Sequence, residues 1–172
     1  MTSTSAYAHP EVLPSLDSSL GIILSAAKAY AVEHFAGLRV INLSDGSEIE
    51  IAKSGIKHAL SAGAGKLDAL AATDLETLIR TAKYRLTEPD KLGRPEIKAV
   101  HKYVGKLQTA NGSFDIGIIV RELVDGRKYY DHFAWQSKSA TPLGISDEAS
   151  SGISDGLLSQ PSSGDARSIN QS

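Results

Sequence analysis

The feature that most constrains this chain is a run of three strand-like segments, residues 97–107, 114–123 and 128–135, separated by Asn111-Gly112 and Asp125-Gly126. Apolar, β-branched and aromatic residues recur along them with the period of a strand, and Asn-Gly and Asp-Gly accept the positive φ of tight hairpin turns. The pattern predicts an antiparallel three-strand meander.

Upstream the period changes. Leu16, Leu20, Ile23, Leu24, Ala27, Tyr30, Ala31, His34 and Phe35 recur at helical spacing, with Gly37 where a C-terminal stop belongs. Residues 38–43 and 48–51 flank Asp45-Gly46 and predict a second hairpin. Ser54 can cap a short helix over 55–61, which Gly63-Ala64-Gly65 interrupts. Leu67, Leu70, Ala71, Leu75, Leu78, Ile79 and Ala82 form a further helical pattern, and Thr73 with Glu76 has capping-box spacing, so a break is expected there. Residues 84–95, with Pro89, Gly93 and Pro95, read as a charged loop. The fold class is α+β: N-terminal helices packed on an antiparallel sheet that ends in the meander.

At 172 residues the chain suits one core, placed at 14–138. Residues 1–13 should fray. Residues 139–172 are rich in Ser, Gly, Asp and Pro and are expected to stay disordered, because they bury too little to offset their ordering entropy. The absence of cysteine excludes disulfides, thiolate metal sites and cysteine nucleophiles. No apolar run approaches the roughly 20 residues needed to cross a bilayer, and the start lacks a signal-peptide pattern. The expectation is a bacterial host cytoplasm and no membrane partner. A net charge of −2 means that any nucleic acid must be held by a local patch.

The turns predict which residues share a face. Taking Asp125-Gly126 as a two-residue turn sets Arg121 opposite Tyr130 and Ile119 opposite His132. Taking Asn111-Gly112 likewise sets Lys102 opposite Arg121 and Lys106 opposite Gly117. Strand alternation then gathers Lys98, Lys102, Lys106, Arg121, Lys128, Tyr130 and His132 on one face. Ile116, Ile118, Val120, Phe133 and Trp135 take the other, which should pack on the helices.

Several residues on or near this face carry candidate chemistry. Lys57 and His58 lie in a short helix, where a histidine is either solvated or an acid–base group. Arg121 is either a solvent-face residue or a phosphate clamp, since its fork suits the charge that builds on a phosphorane. Asp131 and His132 could suggest a metal site, but neighbours on a regular strand point to opposite faces, so no metal or other cofactor is expected. His101 falls on the core face with Tyr103 and reads as structural, as does His34 at a helix end; His9 lies in the frayed start. Gly63-Ala64-Gly65-Lys66 only superficially resembles a phosphate loop, and no nucleotide-binding or hydrolase motif stands elsewhere.

Taken together, a strand pair ending in IxIxxxGIKHxL (Ile49 to Leu60), a helix with LxxLIxxA (Leu75 to Ala82) and a meander carrying Ile118-Ile-Val-Arg-Glu-Leu-x-Asp-Gly-x-x-Tyr-Tyr-Asp-His132 resemble the barnase–EndoU–colicin–RelE ribonuclease fold. The likeness is to its phage and mobile-element members, including large polyvalent protein-associated domains, and spans residues 38–136. It implies a metal-independent endoribonuclease that cleaves by 2′-OH attack on the adjacent phosphate. Carried over, the helix histidine is His58 with Lys57 beside it, and the strand arginine is Arg121. Tyr130, His132 or Ser137 fills the polar place on the last strand. The expected catalytic set is His58, Arg121, Tyr130 and His132, with Lys57, Lys102, Lys106 and Lys128 contacting RNA. Partners would be tRNA or mRNA and a protein inhibitor or partner. The alternatives are a non-catalytic RNA- or protein-binding module of the same fold, or a structural piece of a phage polyprotein.

Overall fold

The computed structural model describes residues 5–61 and 63–139. The stretch read as a disordered tail lies outside the described residues apart from Ser139, as do residues 1–4. The rest of the expected frayed start is tied down. Strand β1 (Ala6–Tyr7) pairs in parallel with Leu107 and Gln108, and the Ala6 side chain is fully buried. The Tyr7 and His9 amides donate to Asp74 and Thr73.

Helix α1 (Leu20–Phe35) buries Ile23, Ala27, Ala31 and Phe35, a row at spacing four that faces the core. It starts later than the periodicity from Leu16 suggests, because Ser19 takes the N-cap position. Gly37, at φ +90°, turns the chain into β2 (Arg39–Ile41), which pairs antiparallel with β3 (Glu48–Glu50) as expected. Helix α2 (Lys53–Ala59) follows. Its N-cap is Ala52, so Ser54 lies inside the helix and does not cap it. Helices α3 (Lys66–Ala72) and α4 (Leu75–Thr81) break at Thr73 as the spacing suggests. No capping box forms there; the Thr73 hydroxyl donates back to Leu70 O.

Residues expected as a loop form β4 (Lys83–Glu88), an edge strand exposed along most of its length. Then come β5 (Ile97–Thr109), β6 (Gly112–Leu123) and β7 (Lys128–Lys138). The sheet runs β1-β5-β6-β7-β3-β2, with β4 also on β5. The helices cover one face, over Tyr103, Leu107, Ile116, Ile118, Val120, Tyr130 and Phe133. Apolar burial of this extent is the main stabilising term of the fold. No described helix is long and apolar enough to cross a membrane.

The register departs from expectation at both turns. The Leu123 amide donates to Arg127 O and the Gly126 amide to Leu123 O, with Gly126 at φ +95°. That is a three-residue loop closed by a left-handed glycine. Arg121 therefore sits opposite Tyr129, and Val120 opposite Tyr130. A bulge at Asp131 then restores Ile119 opposite His132, and a second bulge leaves Ala134 unpaired between Phe133 and Trp135. At the other turn Thr109 pairs with Gly112, so the loop is Ala110-Asn111; Lys102 meets Ile119 and Lys106 meets Asp115. This shift is by two residues, so the faces of β5 and β6 survive it.

Three face assignments are thereby overturned: Lys128, opposite Glu122 and beside the buried Ile49, leaves the basic face together with Tyr130. Tyr130 joins the core, fully buried. Trp135 lies on the outer face beside Gly117, 46% exposed, where any Cβ on Gly117 would collide with the indole at 2.6 Å.

Candidate functional site

Beyond Glu50↔Tyr129, β3 no longer pairs with β7, and α2 packs beside β7 from that point. The contact is close because Gly55 has no side chain: a Cβ there would lie 2.2 Å from the Tyr130 carbonyl oxygen. Ile56 and Leu60 anchor α2 in the core, and His58 on its exposed face reaches the bulged segment of β7.

Asp131 is the centre of the site. It is the unpaired residue of the bulge, so its side chain does not follow strand alternation, and it is 7% exposed. Its Oδ2 lies 3.3 Å from His58 Nδ1 and 2.5 Å from His132 Nδ1, while Oδ1 lies 3.1 Å from Arg121 Nη1. The two imidazole rings stand 4.8 Å apart, centroid to centroid, tilted by 50°. Burial alone would raise the Asp131 carboxyl, but the His132 hydrogen bond and the charges of Arg121, His132 and His58 outweigh it and hold the carboxyl below its ordinary value.

Three of the four expected catalytic residues thus converge, and one does not. His58, Arg121 and His132 share one carboxylate. The Tyr130 hydroxyl is buried on the opposite side of the sheet, without a hydrogen-bond partner among the described residues, and burial pushes its pKa well up. The geometric premise against Asp131 and His132 acting together fails at the bulge, which brings both to one point. His58, Asp131 and His132 offer three ligand atoms within 4.8 Å of one another. His101 is structural as expected: its ring bridges Thr87 and Glu122.

The basic face is more balanced than the sequence implies. Lys98 pairs with Glu122, Lys102 with Glu88 and Lys106 with Asp115, while Lys128 lies on the helix-covered side of the sheet and donates to Ser47. Lys57 is exposed on α2. Glu88 comes from β4, whose pairing with β5 brings its carboxylate to this face.

Two shallow grooves meet at His132. One, on the outer sheet face, is lined by Arg121, Lys102 and the loop that Arg94 and Asp90 pin with a two-pronged ion pair. The other, about 300 Å³, is lined by His58, Ser61, Asp68, His132, Trp135 and Gln136. Sequence reasoning missed Asp131 as the organiser and Trp135 as a groove residue. A signal for Asp131 was present: strict alternation would place its carboxylate on the apolar face with Phe133.

No curated protein and no solved structure matches the chain. Residues 20–130 match the family described as large polyvalent protein-associated domain 3, a span that includes α1, the hairpin, α2 with His58, and β6 with Arg121. The chain therefore belongs to the large polyvalent protein-associated domain 3 family.

Proposed function

We propose that this domain is a metal-independent endoribonuclease of the barnase–EndoU–colicin–RelE type, carried by a phage or mobile-element polyvalent protein. The observation that carries the reading is a pair of imidazoles whose Nδ1 atoms both face one buried carboxylate, His132 hydrogen-bonded to it and His58 at 3.3 Å. The Asp131 hydrogen bond orients the His132 ring with Nε2 turned away from the carboxylate, and His58 Nδ1 faces the same oxygen, so its Nε2 points away as well.

One ring takes the proton of the ribose 2′-OH as that oxygen bonds to phosphorus. The other protonates the 5′-oxygen as the P–O5′ bond breaks. The product carries a 2′,3′-cyclic phosphate, and Arg121 stabilises the pentavalent charge between the two steps. Tyr130 has no part in this scheme. The test is cleavage of a labelled RNA by purified protein in chelator. Wild type should give cyclic-phosphate ends with a bell-shaped pH dependence, and His58→Ala, His132→Ala and Arg121→Ala should each lose the products. Unchanged cleavage by these variants would sink the assignment.

Trp135 extends the reading to substrate binding. An exposed indole beside the paired histidines is a stacking surface for an unstacked base. Stacking contributes about 1–3 kcal/mol per base, so Trp135→Ala should raise KM by roughly tenfold and leave kcat near wild type. A matching fall in kcat with KM unchanged would exclude a stacking role.

A second reading is favoured by the carboxylates that pair Lys98, Lys102 and Lys106, because they leave little unbalanced positive charge to attract RNA. Under it the domain is a non-catalytic binding module of a polyvalent protein, and the purified protein leaves RNA intact.

A further inference from the structure

We infer that His58, Asp131 and His132 form a binding site for one divalent transition-metal ion of the zinc class, and that the bound ion switches the site off. The donor set is two imidazole nitrogens and one carboxylate oxygen, the combination that such ions take in three-ligand sites with an open fourth position. Zinc bonds of about 2.0–2.2 Å place the ligand atoms of a tetrahedral site roughly 3.3–3.5 Å apart. His58 Nδ1 already lies 3.3 Å from Asp131 Oδ2, His132 Nδ1 lies 2.5 Å from it, and all three atoms fall within 4.8 Å of one another. Small rotations of two partly exposed rings complete the sphere.

The surroundings fit the ion as well. Arg121 holds Asp131 through Oδ1, which leaves Oδ2 to bind in monodentate fashion and fixes its direction. The His58 side chain is 53% exposed and that of His132 29%, so an ion can enter from the groove. The bulge supplies what a regular strand cannot, since it lets consecutive residues donate to one point.

Inhibition follows from proton bookkeeping and rests on the ribonuclease reading; binding does not. A neutral imidazole that ligates through Nδ1 carries its proton on Nε2. With both rings ligated, neither Nε2 has a lone pair to accept the 2′-OH proton. The ion also takes over Asp131 Oδ2, the atom that orients the rings.

The experiment is calorimetric titration of ZnCl2 into the chelator-stripped 172-residue chain, with RNA cleavage followed in parallel. One Zn²⁺ per chain should bind, at least about tenfold more weakly in His58→Ala and in His132→Ala, and unchanged in His34→Ala. Co²⁺ in place of Zn²⁺ should give visible absorption bands that the same two variants lose. Absence of one-to-one binding, or binding that ignores both substitutions, overturns the inference while leaving cleavage in chelator to stand. Binding as described with no cleavage under any condition upholds the site and removes the ribonuclease reading. Cleavage that requires Zn²⁺ overturns the inhibitory role.

Discussion

Gly55→Ala should be among the most damaging single substitutions in the domain. The added methyl would sit 2.2 Å from the Tyr130 carbonyl oxygen and 3.2 Å from its carbon. Both are backbone atoms of β7, so no side chain can rotate aside, and α2 must move away from the sheet. Ile56 and Leu60, 1% and 2% exposed, move with it and open the core beneath. Overpacking of this kind costs about 1–3 kcal/mol, and the loss of two anchors adds to it. A fall in melting temperature on the order of 10 °C is expected. His58 leaves Asp131, so any cleavage is lost too. Gly21→Ala is the control. Gly21 lies in α1 with nothing within 4 Å of its added Cβ, so alanine should stabilise by about 0.5–1 kcal/mol. Equal melting temperatures for Gly55→Ala and wild type would disprove the role given to the α2–β7 contact.

How much of this was legible in the sequence depends on what each element left in it. The meander and the β2–β3 hairpin were legible because their turns need left-handed glycines, and Gly46, Gly112 and Gly126 all have positive φ. Helix α1 was legible through its row at spacing four. Strand β4 was not, because its alternation is only Tyr84 and Leu86 in a charged run, and both stay exposed. Its place is fixed by backbone pairing with β5 and by the edge-on contact of Tyr84 with Tyr103. A two-residue strand such as β1 is too short to show a period at all.

The candidate site was half legible for a related reason. His58, Arg121 and His132 stand out by residue type, and alternation from the turns put Arg121 and His132 on one face. The loop at residues 124–126 shifted that count by one and the bulge at Asp131 shifted it back. His132 therefore kept its expected place while Tyr130 lost it. Bulges are set by local backbone geometry and leave little mark on composition, so the assembly of the site around Asp131 required the folded chain.

Removing the Asp131 side chain should cost nearly as much as the Gly55 substitution, through charge rather than volume. Arg121 lies in β6 with its side chain 18% exposed, and its Nε already lacks an acceptor among the described residues. Asp131→Ala strands this guanidinium, a change that costs about 3–5 kcal/mol when one member of a buried pair is removed. Because the Asp131 carboxyl is held below its ordinary value in the folded chain, its contribution is full above the usual carboxylate range and is lost as pH falls through the folded value. The stability gap between wild type and Asp131→Ala should therefore narrow below about pH 4. Adding Arg121→Met to Asp131→Ala should recover most of the loss at neutral pH, since no buried cation then remains. Asp131→Asn keeps the shape and removes the charge, so it separates folding from chemistry. It should fold with a smaller penalty, yet lower cleavage by about 10²-fold or more, because a neutral amide no longer stabilises the imidazolium that forms during proton transfer. If the double variant melts no higher than Asp131→Ala, the stranded arginine is not the source of the cost. Asp131 would then act on stability through the two histidines alone, and the site would be a histidine–carboxylate cluster to which Arg121 is incidental.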